Sequence, residues 1–222
     1  MKKVKYIVLV LIVLLVSGCG KKEEIQLSEL SIQKNNMLNQ VSNYTYKVTF
    51  DTKIDDHDFT IELDCKNNLD SKLGYCYTTN YYYGIEKYIN YNNKVYYYRN
   101  VHPDSKTEWM TMNKYFNTNP NHFLNIVDSI TDLRKEVTEE GIVYTGIIPS
   151  ALKMAILLQE VDNRIDTGNI NPDIKNMPIE VFINKNGFIE KITTCFDENE
   201  KVVITFMNYN ETEKIEFPND IK

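Results

Sequence analysis

A change in hydrophobic period after residue 43 constrains the fold of this chain more than any other feature. Tyr44, Tyr46, Val48 and Phe50 alternate with polar residues, and similar alternation returns in later segments. A period of two puts successive side chains on opposite faces of a strand. The pattern therefore predicts antiparallel strands with one face in water and the other against a core.

Polar turns separate most of these segments. Lys185-Asn186-Gly187 has the Asn-Gly chemistry of a tight hairpin. Successive strands joined by short turns form an antiparallel meander. We expect about ten strands, over residues 44–50, 59–65, 73–79, 82–90, 94–100, 108–112, 133–138, 142–148, 179–184, 188–196 and 202–209.

Three segments have helical spacing instead, over residues 26–41, 119–133 and 150–165. Asn119-Pro120 suits the start of the second helix. A sheet of about ten strands tends to curl. The expected fold class is α+β: a large curved antiparallel β-sheet, or half-barrel, with an N-terminal helix and two inserted helices packed on its concave face.

The first nineteen residues carry an export signal. Lys2, Lys3 and Lys5 give the chain a basic start. Residues 4–16 are apolar apart from Lys5, and the run closes on Val16-Ser17-Gly18-Cys19. This run is shorter than the roughly 20 residues that span a bilayer. Small residues before a cysteine resemble the lipobox of bacterial lipoproteins, whose cysteine receives a diacylglyceryl group. We expect a signal peptide at 1–18, a lipid-anchored tether at 19–26 and a single domain at 27–222.

We expect lipidation at Cys19 to anchor the chain to the outer face of the cell membrane, within a bacterial envelope. Each buried acyl CH₂ adds about 0.8 kcal/mol, so two or three chains such as palmitate are enough. The formal charge is −6, and removal of Lys2, Lys3 and Lys5 with the signal makes it −9 (−6 − 3). An acidic chain without a basic cluster argues against nucleic-acid binding.

Three cysteines remain after Cys19. Export permits disulfides. A hairpin bent within residues 66–72 would put Cys65 opposite Cys76, so we expect this pair to be bridged. Cys195 has the pattern of a small buried apolar residue on a strand, and the sequence leaves open whether it is free.

The order of elements resembles the LolA/LppX-like lipoprotein fold, a half-barrel closed on one side by helices. The likeness covers almost the whole mature chain. Its points are the opening helix before NYTYKVTF, the strands NNKVYYYRN and KTEWMTM, the strand-to-helix run GIVYTGIIPSALKMAIL, the closing run IEVFINKNGFIEKITTCFDENEKVVITFMNY, and the terminal IEFP.

This resemblance implies binding of a lipid or another apolar ligand between sheet and helices. A family of this kind has no catalytic motif to transfer. Candidate lining residues come from the inserted helices and from inward strand positions. They are Phe50, Phe59, Ile61, Val95, Tyr97, Phe123, Val127, Ile130, Met154, Leu158 and Val161. The same residues also suit a filled core, and both alternatives stay open.

Ten of the 16 tyrosines lie between Tyr75 and Tyr98. Tyrosine combines a large apolar ring with a polar tip, which suits interaction surfaces. It is also an ordinary strand residue. The alternative function is therefore an envelope interaction module with a solid core, whose Tyr-rich sheet face docks a protein or a glycan.

No constellation in the sequence predicts a reaction. Asp55-Asp56-His57-Asp58 lacks the spacing of a calcium loop. His102 and His122 have no nearby ligand partners, and a Gly-rich phosphate loop is absent. We expect no enzyme activity, no cofactor and no metal site.

Overall fold

The structure is a computed structural model that describes residues 28–54, 57–71, 73–80, 84–91, 94–100, 109–112, 121, 123–149, 176–196, 200–216 and 219. For residues 52–54, 57–59, 61, 78–80, 84–88, 90–91, 94–95, 97, 99–100 and 110–112 it describes the backbone alone. The expected helix over 150–165 lies outside the described residues.

Eleven strands form one open antiparallel sheet with the order β6-β5-β4-β3-β2-β1-β11-β10-β9-β8-β7. The α+β half-barrel expected from the sequence is confirmed. The strands are β1 (Asn43–Ile54), β2 (His57–Asn68), β3 (Leu73–Asn80), β4 (Gly84–Tyr91), β5 (Lys94–Asn100), β6 (Met110–Met112), β7 (Thr131–Val137), β8 (Gly141–Ile148), β9 (Met177–Asn184), β10 (Ile189–Cys195) and β11 (Lys201–Met207).

The first and last strands meet at the middle of the sheet. In β1, Tyr46 pairs with Phe206 of β11 on one side and with Cys65 of β2 on the other. Directly paired residues point to the same face. We call this the inner face, and the opposite one the outer face.

The core lies on the inner face. Full burial of a large apolar side chain contributes about 1.5–3 kcal/mol. A register shift between Ile189 and Lys191 turns the strand so that both Ile189 and Ile192 are buried. The buried inner-face residues of the central strands are Tyr44, Tyr46, Val48, Phe50, Ile179, Val181, Ile183, Ile189, Ile192, Val202, Ile204 and Phe206.

One α-helix, α1 (Glu29–Leu38), packs on this core. The Ser28 side chain caps it by accepting a hydrogen bond from the Ser31 backbone N–H at 3.1 Å. The prediction of a helix as far as residue 41 was too long. The Gln40 carbonyl accepts a hydrogen bond from the Asn210 side chain at 3.0 Å, and the chain then turns into β1.

The helix predicted over residues 119–133 is much shorter in the structure. It is a six-residue 3₁₀ helix, Leu124–Ser129, because Ile130 already has extended backbone angles. Leu133 belongs to β7, as expected from the strand predicted over residues 133–138, and the pairing of β7 with β8 supplies the backbone hydrogen bonds here. A register shift and the positive φ of Asp132 (53°) bend this edge strand.

The strands expected over residues 44–50 and 59–65 were too short at their adjoining ends. Strand β1 continues to Ile54 and pairs there with His57 of β2. Residues 51–54 lack the apolar alternation of Tyr44 to Phe50, so the sequence pattern did not predict that β1 continues through them.

Candidate functional site

Four of the candidate lining residues lie in the hydrophobic core. Phe50, Phe123, Val127 and Ile130 all belong to one cluster of buried side chains. Phe50 meets Phe196 edge-on at 6.2 Å between ring centroids. This part of the inner face is therefore filled by the protein's own side chains.

The other candidates are placed by backbone register alone or are not placed. Ile61 pairs with Phe50, and Phe59 pairs with Thr52. Val95 and Tyr97 lie in β5, opposite Asn90 and Tyr88 of β4. The remaining three, Met154, Leu158 and Val161, lie outside the described residues.

Aromatic rings with satisfied hydroxyls fill the middle of the core. The Tyr44 hydroxyl donates to Asn121 Oδ1 at 2.8 Å. The Tyr209 hydroxyl donates to the Ile189 carbonyl, and its ring stacks on Phe188 at 4.8 Å. Burial raises the pKa of Tyr44, of Tyr209 and of Tyr46. These phenols stay neutral over the physiological range.

A buried ion pair joins α1 to the 3₁₀ helix. The Lys34 side chain is only 5% exposed, and its Nζ donates to Asp128 Oδ2 at 2.5 Å and to Asn125 Oδ1 at 3.2 Å. The sequence analysis missed this contact. Its signal was the position of Lys34 between Leu30 and Met37 on the inward stripe of the helix.

A second polar cluster joins the start of α1 to the edge of the sheet. Glu29 accepts hydrogen bonds from Lys135 of β7 and, at 3.0 Å, from the Tyr144 hydroxyl of β8. The hydrogen bond from Lys135 is the main cause that lowers the pKa of Glu29. The same hydrogen bond, donated by Lys135 to the Glu29 carboxylate, raises the pKa of Lys135. Burial of the Tyr144 ring raises the pKa of its hydroxyl.

Among the described residues, α1 and the 3₁₀ helix have specific contacts with β1, β7, β8 and β10. α1 contacts β7 and β8 through Glu29, and the Ile189 N–H of β10 donates to Met37 Sδ at 3.2 Å. The 3₁₀ region contacts β1, where Phe123 meets Tyr46 at 5.6 Å. The named contacts therefore lie on β1 and on the half of the sheet from β7 to β11.

A disulfide joins β2 to β3 on the inner face. Cys65 and Cys76 are directly paired, with Cα atoms 4.1 Å apart, and are bonded to each other. The Tyr46 hydroxyl lies 3.6 Å from Cys76 Sγ. Cys195, in β10, is free and only half-buried, so it is less enclosed than the sequence indicated.

The outer face differs between its two halves. Around β10 and β11 it is built from Lys and Thr residues such as Lys191 and Thr205. From β3 to β5 it carries tyrosines: Tyr75 and Tyr96 flank the fully buried Ile89 in register, and Tyr98 contacts Trp109 at 5.3 Å.

The surface of the described part of the molecule has several grooves. One of about 350 Å³ runs between α1 and the β9–β10 turn and is lined by polar residues together with Ile32, Met37 and Phe188. One of about 570 Å³ lies beside Leu73 and the C-terminal segment at Ile215. Another, of about 380 Å³, lies on the outer face beside Tyr75.

The described residues contain neither a metal-binding cluster nor a membrane-spanning helix. Among them, no His, Cys, Asp or Glu residues are grouped closely enough to hold a metal ion. Within the same part of the chain, no helix has the length and apolarity needed to cross a bilayer.

No protein-family model matches the chain, and no curated protein matches it. Among solved structures, it is similar to the lipoprotein LppX of Mycobacterium tuberculosis, with 13% identity over 84% of this chain and 96% of that chain and a TM-score of 0.44. A LolA superfamily protein from Nitrosomonas europaea has 9% identity, coverage of 82% and 94%, and a TM-score of 0.34. An uncharacterized conserved protein from Thermus thermophilus has 10% identity, coverage of 84% and 94%, and a TM-score of 0.41. Because each TM-score is below 0.5, we base no functional conclusion on these likenesses.

Proposed function

We propose that this chain is an exported lipoprotein, anchored through Cys19 to the outer face of the cell membrane, and that it binds a lipid or another apolar ligand without catalysis. The ligand lies between the inner face of the sheet and a helical cover. The observation that carries the proposal is the mismatch between the width of the sheet and the extent of the described helices.

The mismatch follows from simple dimensions. Neighbouring strands are about 4.8 Å apart, so eleven strands span about 48 Å. α1 has ten residues and is therefore about 15 Å long, and the six-residue 3₁₀ helix is about 12 Å long. Their named contacts lie on β1 and on the β7–β11 half, and strands β3 to β6 add about 14 Å of inner face over which the proposed cover lies.

The sequence supplies both the lining and the cover for that region. Cys76 is on its inner face, and the register there continues through Tyr97 and Val95. The segment 150–165 carries the clearest apolar helical stripe in the chain, with Met154, Leu158 and Val161. An apolar cavity between such a helix and the sheet would stay dry and accept a hydrocarbon chain.

The filled core around Phe50 and Phe123 limits where the ligand can lie. Those residues hold α1 and the 3₁₀ helix against the central strands. The ligand site therefore lies beyond them, towards β5 and β6. We therefore place four of the candidates at the back of the proposed site and not among its lining residues: Phe50, Phe123, Val127 and Ile130.

Native mass spectrometry of protein released from its own cells tests the ligand. A protease site placed in the tether at residues 20–24 frees the domain without detergent and leaves the acylated Cys19 behind. We expect an added mass that extracts as lipid. Leu158→Trp should abolish this mass while the folded circular dichroism spectrum persists. Val137→Trp is the matched control, since Val137 is 74% exposed on the edge strand. Repeated recovery of ligand-free wild-type protein would refute the proposal.

The anchor is tested separately. Cys19→Ser should move the protein from the membrane fraction to the medium and remove labelling by radioactive palmitate. Cys195→Ser, which changes the free cysteine of β10, should leave both unchanged. Undiminished palmitate labelling of the Cys19→Ser protein would exclude a lipid anchor at this residue.

A further inference from the structure

The outer face carries a groove that the apolar ligand does not use. It crosses four adjacent strands, β11, β1, β2 and β3, a distance of about 14 Å. Its volume of about 380 Å³ lies within the range of small-molecule sites, about 300–1,000 Å³. Residues that line it are Thr45, Asp64, Lys66, Tyr75, Tyr77 and Asn208, together with Met207.

The register explains how these residues meet. Thr45 pairs with Lys66 and Lys66 with Tyr75, while Asp64 pairs with Tyr77. Two parallel rows therefore cross the face, and each includes a tyrosine of β3. Since Tyr75 and Tyr77 are two residues apart on one strand, both rings project from the same side and form one wall.

The opposite wall is polar and fixed. Asn208 follows β11 with a positive φ of 53°, a conformation that asparagine tolerates better than most residues. Its Nδ2 donates to Thr45 Oγ1 at 2.9 Å, which holds the amide at the edge of the groove. The neighbouring Met207 is 39% exposed, so the wall also offers a thioether.

The charges around the groove nearly cancel. Lys47 pairs with Glu62 at 2.7 Å and Lys66 pairs with Glu213 at 3.3 Å. Asp64 adds one further carboxylate beside Lys47. Such a rim attracts neither a polyanion nor a polycation. The net charge of the chain, −6, also disfavours binding of anionic polymers.

We propose that this groove binds a neutral oligosaccharide. Sugar rings present flat C–H faces that pack on Tyr75 and Tyr77, while their hydroxyls find an acceptor at Asp64, donors at Lys66 and both at Asn208. Burial raises the pKa of the hydroxyl of Tyr75, which lies in register with the buried Ile89. The Tyr75 ring is therefore partly shielded from water before a ligand binds. The site lies on the face opposite the apolar ligand and does not depend on it.

Nuclear magnetic resonance titration of the released domain tests the proposal. The probes are three neutral sugars: the tetramer of N-acetylglucosamine, cellotetraose and maltotetraose. We expect saturable binding of at least one, with shifts confined to β11, β1, β2 and β3. Tyr77→Ser should weaken it about tenfold, whereas Tyr77→Phe, which keeps the ring, should stay within about threefold.

Two further variants separate a binding role from a folding role. Asp64→Ala changes an exposed side chain and should weaken binding about fivefold. Lys191→Ser lies on the Lys/Thr half of the same face and should leave the affinity unchanged. The proposal is overturned by absence of saturable binding to all three sugars at about 10 mM, or by equal affinity of wild type and the Asp64→Ala variant. A dimer that dissociates in the Tyr77→Ser variant would show instead that a second copy of the chain occupies the groove.

Discussion

The buried contact between Lys34 and Asp128 makes a sharp prediction about stability. We expect Asp128→Ala to destabilise the fold markedly and Lys34→Met to change it little. Asp128→Ala leaves an ammonium group that is 5% exposed with the Asn125 amide oxygen at 3.2 Å. Lys34→Met removes the charge, keeps most of the side-chain volume, and extends the apolar stripe between Leu30 and Met37.

The magnitude follows from the exposure of the two partners. Breaking a fully buried ion pair costs about 3–5 kcal/mol, while exposed pairs contribute about 0–1 kcal/mol. Asp128 is 38% exposed, so part of its charge is screened by water. We therefore expect Asp128→Ala to lower the free energy of unfolding by about 2 kcal/mol and Lys34→Met to change it by less than about 1 kcal/mol.

Urea unfolding of the two single variants and the double variant measures the coupling. Far-ultraviolet circular dichroism reports the transition, and an unchanged m-value confirms that the unfolded state is comparable. In the Lys34→Met background, Asp128→Ala should cost less than about 0.5 kcal/mol. An equal cost of Asp128→Ala in both backgrounds would show that the two side chains do not interact, and the reasoning would fail.

Three further variants test other parts of the fold. Replacing Cys65 and Cys76 together by alanine should lower the free energy of unfolding by about 3 kcal/mol, measured in urea, because the disulfide closes a loop of sequence separation 11. Glu29→Gln should reduce the loss of stability in acid. The folded-state pKa of Glu29 is lowered from 4.5, so its contribution is present above that pH and is lost as the pH falls through the folded value. Gly141→Ala should lower the melting temperature, since a Cβ there would lie 2.1 Å from a backbone carbonyl oxygen of β9. A variant as stable as the wild type would contradict the packing described for that strand.

Much of the fold follows from local periodicity. The alternation around Tyr46 and Val48 reports which side of β1 is buried, and Asn186-Gly187 reports a hairpin turn; Gly187 indeed has a φ of 82°. These signals are local because strand direction and turn chemistry depend on neighbouring residues.

Other features depend on partners that are distant in the sequence. The segment after Phe123 has helical spacing as far as Leu133. Residues from Thr131 onwards nevertheless form strand β7, whose backbone pairs with β8. The inward position of Lys34 could be read from Leu30 and Met37, but its partner, Asp128, lies 94 residues away. The outer groove depends on register across four strands, which single-strand patterns do not contain.

The pairing of β1 with β11 has a consequence for how the chain acquires its structure. Each of the strands β1 to β5 pairs with the next strand in the sequence, so β1 to β6 can form one meander. Strands β7 to β11 can form a second meander in the same way. The seam between them joins Thr45 to Met207, so it closes only after nearly the entire polypeptide has been made. Until then one edge of β1 exposes unpaired backbone N–H and C=O groups, to which strands of other unfolded chains can bind. We therefore expect the pairing of β1 with β11 to form late in folding.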